Sequence, residues 1–334
     1  MNIMKKVLLS LVALMAATMS FAQNTIVASL SHGSETTLFY GSSALIDAVE
    51  KAESGDIINL SAGTFKATNI TKAIYLRGAG ISSSESTYII DNFNIEISAD
   101  DANRFTMEGI RCQNTMYTKG TFDNPHFVKC QFNAIQNATE SDAVTNILFV
   151  NCKITGNINV GGNNTVNFIN SYVTSIGRYQ NALITARNCI LNQRGLGDLA
   201  QSQWYNCIFF CTRYSESYLP ADAVVKNCIY PEYDGENYAY DIFRGIISHP
   251  GTAIFKFSET FKTFTGRNYT DAETFELTDA AKALYLGTDE KEVGLYGGSQ
   301  PFSTTPSYPL ITKMEVDEQT DDNGKLKVTI EVNK

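Results

Sequence analysis

The sequence predicts an all-β chain, a right-handed parallel β-helix solenoid with an N-terminal capping helix and a C-terminal β-hairpin tail. Three observations point there. Short β-rich runs recur every 18 to 22 residues, most pairs of runs meet at an asparagine, and a cysteine or serine flanked by apolar residues marks nearly every junction. Self-similarity at so short a period belongs to solenoids, whose units bury their centres only when stacked.

The first stretch of the chain lies outside that fold. Lys5 and Lys6 precede an apolar run from Val7 to Met15, and Ser20 and Ala22 sit where a leader cleavage site needs small residues. These are the parts of a secretory signal peptide, in order. Residues 1–22 are therefore expected to be removed and the mature chain secreted, remaining periplasmic, at the cell surface or in the medium. Loss of Lys5 and Lys6 moves the formal net charge from −9 to −11. An acidic chain without a basic cluster repels phosphate backbones, so no nucleic-acid partner is expected. No later apolar run is long enough for a transmembrane segment.

A capping helix is expected over about 43–54, beginning after Ser42 or Ser43, with Leu45, Ile46, Val49 and Ala52 as its apolar face and Gly55 ending it. The repeat follows. Aligned on cysteine, GIRCQN, FVKCQF, FVNCKI, FINSYV, ARNCIL, WYNCIF and VKNCIY place Cys112, Cys130, Cys152, Ser171, Cys189, Cys207 and Cys228 in one column. Runs such as Ile147–Val150 and Cys152–Ile154 have strand length, and no helical period appears between Thr106 and Tyr230. Asparagine tolerates left-handed backbone, so Asn151, Asn170, Asn188, Asn206 and Asn227 can turn the chain and are expected to stack as an amide ladder. Alternation along each strand sends Phe127, Phe149, Phe168, Ala186, Trp204 and Val225 inward before the corner. Phe132, Ile154, Val173, Leu191, Phe209 and Tyr230 point inward after it. Crossovers between parallel strands are right-handed, which sets the hand.

The cysteines read as small buried apolar groups. In-register strands lie about 4.8 Å apart, beyond the ~3.5–4.5 Å between Cβ atoms that a disulfide wants. The cysteine count of seven is odd, and Ser171 interrupts the column. A single strained bridge between stacked neighbours is the alternative. Zinc is disfavoured because no histidine lies near the Cys207–Cys211 pair, and no base is indicated for a nucleophilic thiol.

Two stretches carry a family resemblance. Ala44 to Phe65 (ALIDAVEKAESGDIINLSAGTF) followed by Lys72 to Gly78 (KAIYLRG) is similar to the first-coil cap and strand of secreted bacterial right-handed β-helix proteins of the pectate-lyase-like superfamily. Leu277 to Gly287 and Val293 to Gly298 resemble the closing coil of such proteins, and the ending Tyr296-Gly297-Gly298 with Pro301-Phe302 resembles cell-surface members. The β-helix is thus expected over 23–300, a proline-spaced linker over 301–310, and a hairpin over 311–334. In the hairpin ITKMEV and KLKVTIEV flank an Asp-Asn-Gly turn.

The resemblance implies fold more firmly than activity. Lyases and hydrolases of this shape carry W-x-D-H, N-x-D, D-D or G-H-G motifs. Here the D-D pairs, Asp100-Asp101 and Asp321-Asp322, fall in turns, and His32, His126 and His249 sit in SHG, PHF and SHP. No catalytic residue and no metal ligand is assigned, and the expected role is a non-catalytic scaffold recognising polysaccharide or another surface. A polysaccharide lyase or glycoside hydrolase with a non-standard site is the alternative. Candidate binding residues are the outward Arg187, Tyr205 and Lys226, at the end of a column Ile110, Val128, Val150, Ile169, and the acidic loop 231–245 with Tyr233, Tyr238 and Tyr240. That loop's oxygens make calcium the one cation to consider, without any D-x-D-x-D-G spacing; no other cofactor is expected. After the corner the outward column runs Gln113, Gln131, Lys153, Tyr172, then Ile190, Ile208, Ile229. The isoleucine stripe needs cover, from a loop, from the C-terminal tail, or from a protein partner; the C-terminal hairpin is a second possible protein contact.

Overall fold

The computed structural model describes residues 26–82, 86–139, 142–159, 165–177, 183–192, 201–210, 222–231, 250–266, 268–270, 272–308, 310–316 and 328–333. The signal-peptide region and the 232–245 stretch lie outside them. The chain winds as a parallel β-solenoid between two 11-stranded sheets. Each coil sends one strand to the first sheet, turns a corner, and sends the next to the second: Ile147–Val150 then Lys153–Asn159, Thr165–Ile169 then Tyr172–Ile176, Leu183–Arg187 then Ile190–Leu191. Successive coils pair parallel, as in Ile147↔Val166 and Val166↔Ile184, with register shifts in the second sheet between Phe132 and Ile135 and between Ile154 and Asn157.

The corner is where asparagine matters. Asn151, Asn170, Asn188, Asn206 and Asn227 all take positive φ, between 43° and 57°. Gly109 and Lys129 hold the same corner in the earlier coils. This corrects the alignment of GIRCQN. Gln131 pairs with Arg111 and Phe132 with Cys112, so Cys112 stands in the phenylalanine column and Ile110, wholly buried, stands in the cysteine column. Glu108, not Ile110, precedes the corner, and Arg111, not Gln113, follows it outward. Gly109 reaches positive φ as readily as asparagine, so the corner moved two residues without an asparagine to mark it.

Inside, Phe127, Phe149 and Phe168 stack at centroid spacings of 5.1 and 5.2 Å, and Phe132 meets Phe127 edge-on at 5.3 Å. Ala186 follows Phe168 in register and leaves room for Trp204. The six described cysteines are buried and unbridged. Their column has a hydrogen-bonding role besides packing. Each thiol from Cys130 onward points at the carbonyl two residues back, for example Cys189 Sγ to Arg187 O at 3.2 Å and Cys207 Sγ to Tyr205 O at 3.3 Å. Ser171 does the same to Ile169 O at 2.9 Å and accepts the Cys152 N–H at 3.0 Å. A small side chain with an X–H group satisfies backbone that the corner turns inward. Burial pushes the Cys152 thiol up to about 12 and raises Cys189 and Cys228 as well.

At the N-terminal end, Val27–His32 pairs antiparallel with both Glu35–Tyr40 and Ile57–Leu60. The capping helix spans Ala44–Lys51 and buries Ala44, Leu45, Ala48 and Val49; Ile46, expected on its apolar face, is only half-buried and Ala48 takes that place. Lys72 Nζ caps its last carbonyls, those of Val49, Glu50 and Ala52, at 3.3, 3.1 and 2.5 Å. Leu310–Val316 and Val328–Asn333 pair antiparallel as the C-terminal hairpin.

Between helix Asp279–Leu284 and the hairpin, the chain runs back along the asparagine corners as a strap. Asn227 Nδ2 donates to Leu286 O (2.8 Å), Asn170 Nδ2 to Leu295 O and Gly297 O (2.7 and 2.8 Å), and Asn151 Nδ2 to Gln300 O (3.1 Å). Asn206 Oδ1 accepts the Thr288 N–H and Asn151 Oδ1 the Ser303 N–H, at 2.8 and 2.7 Å. The expected amide ladder is therefore mostly spent on the strap; Asn206 to Asn188, at 3.4 Å, is one remaining rung. The 301–308 stretch continues the strap: Phe302 is buried, Ser307 N–H donates to Glu108 Oε1 (2.6 Å), and Tyr308 OH donates to Gly78 O.

The strap and the segment before it decide the isoleucine stripe. Ile190, Ile208 and Ile229 are at most 1 % exposed, in a second apolar cluster with Tyr172, Phe210, Phe255, Phe275, Val293, Leu295 and Phe302. The chain's own C-terminal segment covers them, so this face offers no surface to a partner. Burying three isoleucines this way contributes about 1.5–3 kcal/mol each.

Candidate functional site

Arg187, Tyr205 and Lys226 are each the last residue of a first-sheet strand, immediately before an asparagine corner. Register pairs Ile169 with Arg187, Arg187 with Tyr205, and Tyr205 with Lys226. Neighbouring strands present these residues to the same face at the ~4.8 Å strand spacing. Arg187 and Lys226 are exposed and Tyr205 is half-buried. The Arg187 guanidinium lies 4.2 Å from the Tyr205 ring centroid, close enough for a cation–π contact. Among the described residues neither Arg187 nor Lys226 has a carboxylate partner.

The result is a ledge: two cations and one aromatic face on flat sheet, bordered along the column by half-buried Ile169, Val150 and Val128. A second row lies beside it, which the sequence reading missed. Thr185, Gln203 and Val224 pair in register one step back along the strands, and Gln203 Oε1 accepts the Tyr205 hydroxyl at 3.4 Å. The signal for this row was the same alternation, read two residues earlier. The arrangement can hold an extended anionic or hydroxylated chain by charge, stacking and amide bonds.

The other sequence candidates divide. Tyr233, Tyr238 and Tyr240, with His249 and Asp321-Asp322, lie outside the described residues. Asp101 works structurally: it accepts from Ser54 Oγ at 2.6 Å, the Asn103 N–H at 3.0 Å and the Ala73 N–H at 3.2 Å. Burial would raise its pKa, and these bonds overcome that and lower it. His32 pairs with Asp56 at 2.8 Å, which holds the imidazole above its usual value.

No family model, no curated protein and no solved structure matches this chain. Among the described residues no helix is long and apolar enough to cross a membrane.

Proposed function

We propose that this protein is a secreted, surface or extracellular β-helix scaffold of the pectate-lyase-like kind, non-catalytic, that recognises polysaccharide along the outer face of its first sheet. The observation that carries the reading is the Arg187–Tyr205 stack with Lys226 in register beside it. Two cations without a carboxylate partner among the described residues, two strand spacings apart with Tyr205 between them, suit carboxylates along an acidic chain, and the tyrosine face suits a sugar ring. The leader-like sequence at the N-terminus supports secretion.

The test is binding of the purified protein to polygalacturonate and to neutral glucans, with and without calcium, while reducing and unsaturated ends are followed in the same samples. Arg187→Ala is expected to weaken polygalacturonate binding by the worth of an exposed guanidinium–carboxylate pair, about 0.2–1 kcal/mol or roughly 1.5- to 5-fold. Lys226→Ala is expected to lower the salt dependence as well. New chain ends would replace the scaffold reading with a lyase or hydrolase. Binding unmoved by both substitutions would remove the ledge from the site.

A further inference from the structure

A second candidate site lies on the N-terminal coils, apart from the ledge. Residues 97–105 and 122–124 enclose a recess of about 310 Å³, floored by buried Phe105 and Phe122. Its size is at the small end of the roughly 300–1,000 Å³ of ligand pockets, fit for one ring and not a chain segment.

The polar groups at its mouth are held but not used up. Arg104 Nη1 contacts His126 Nε2 at 3.1 Å and Nδ1 at 3.5 Å, and has no carboxylate partner among the described residues. Burial and the Arg104 charge both lower the His126 pKa and favour the neutral ring, which donates its Nε2–H to Asn124 Oδ1 at 2.9 Å and leaves Nδ1 as the acceptor facing the guanidinium. Asp123 also lines the recess; its Oδ1 accepts from Thr145 Oγ1 at 2.5 Å and from Asn146 Nδ2 at 2.7 Å, and its Oδ2 has no bond among the described residues. The left-handed corner at Asn124, φ 59°, turns the strand Thr121–Asp123 so that Asp123 and Asn124 flank the recess. Asn103 lines the recess as well, its amide nitrogen donating to Ser54 Oγ at 3.0 Å.

The Arg104 guanidinium at this recess disfavours metal cations, and the Asp123 carboxylate disfavours anions. A neutral ligand with adjacent hydroxyls satisfies both, donating to Asp123 and accepting from Arg104 in its fork geometry. We propose that this recess binds a single neutral pyranose unit, a chain end or a branch, separately from any chain lying on the Arg187–Tyr205–Lys226 ledge.

The experiment is saturation-transfer difference NMR on the full chain with methyl glucopyranoside, methyl galactopyranoside and methyl mannopyranoside. Wild type is expected to saturate at least one of them, and Arg104→Ala and Asp123→Asn to cut that signal at least fivefold. Asp123→Asn keeps the Oδ1 acceptor for Thr145 and Asn146, so the fold stands while the charge goes. Arg104→Lys keeps the charge without the fork and is expected to bind weakly. Arg187→Ala with Lys226→Ala is expected to leave the signal unchanged, which separates this site from the ledge. No saturation with any of the three sugars, or saturation undiminished in Arg104→Ala and Asp123→Asn, overturns the proposal.

Discussion

Replacing Asn170 with alanine tests whether the strap is clipped by the corner asparagines. Asn170 is 1 % exposed, so water does not take over the bonds it loses. Its amide donates to Leu295 O and Gly297 O. Leu295 O keeps the Phe302 N–H at 2.8 Å, so that loss is an ordinary net hydrogen bond, about 0.5–1.5 kcal/mol. Gly297 O keeps no other partner among the described residues, and leaving it buried and unpaired costs about 1–3 kcal/mol. Alanine at a φ of 43° adds about 1–2 kcal/mol of left-handed strain. The expected total is about 3–6 kcal/mol, a large part of the ~5–15 kcal/mol that holds a domain. Urea unfolding followed by far-UV circular dichroism reads it, and an apolar dye reports whether the Ile190–Ile208–Ile229 face opens. Asn170→Gly separates the causes, because glycine removes the backbone strain and leaves the carbonyls without their donor. It should still lose about 2–4 kcal/mol. Wild-type stability in Asn170→Gly, or a loss below about 1 kcal/mol in Asn170→Ala, would refute the clip and leave only the corner conformation.

Ile208→Ala should cost about 2–5 kcal/mol and raise dye binding, since the side chain is wholly enclosed under the strap. The six described thiols should resist a thiol reagent at pH 8 in the native state and all react after unfolding, because burial keeps them out of reach. Cys152→Ser should stay within about 1 kcal/mol of wild type, since Ser171 already meets the same backbone demands one coil away. Asp142 sets an acid limit. Burial would raise its pKa, but the Gly120 N–H at 2.7 Å and Thr139 hold the carboxyl below its usual value. A depressed folded pKa gives stability that is present above the unfolded value, about 3.9, and is lost as pH falls through the folded one. Asp142→Asn should therefore be less stable at pH 7 and show a flatter acid limb in urea midpoints taken from pH 6 to pH 2.

What the sequence by itself determined is everything local to one coil. Strand-length runs, alternation and a residue tolerant of positive φ at each junction are written within a few neighbouring residues, so the solenoid, its inward columns and the outward aim of Arg187, Tyr205 and Lys226 were legible. The register slip at Cys112 arose where Gly109 does asparagine's work, and Lys129 shows that the corner also accepts a residue with no such signature. The tertiary structure alone decided the cover of the isoleucine stripe, the use of the asparagine amides and the recess at Arg104. Asn170 and Leu295 are 125 residues apart in sequence, and the acceptor is a backbone carbonyl, which every residue carries and no pattern distinguishes. Likewise, Arg104 and Asp123 come to line one recess because one coil advances the chain by a single strand spacing, which sets distant residues side by side.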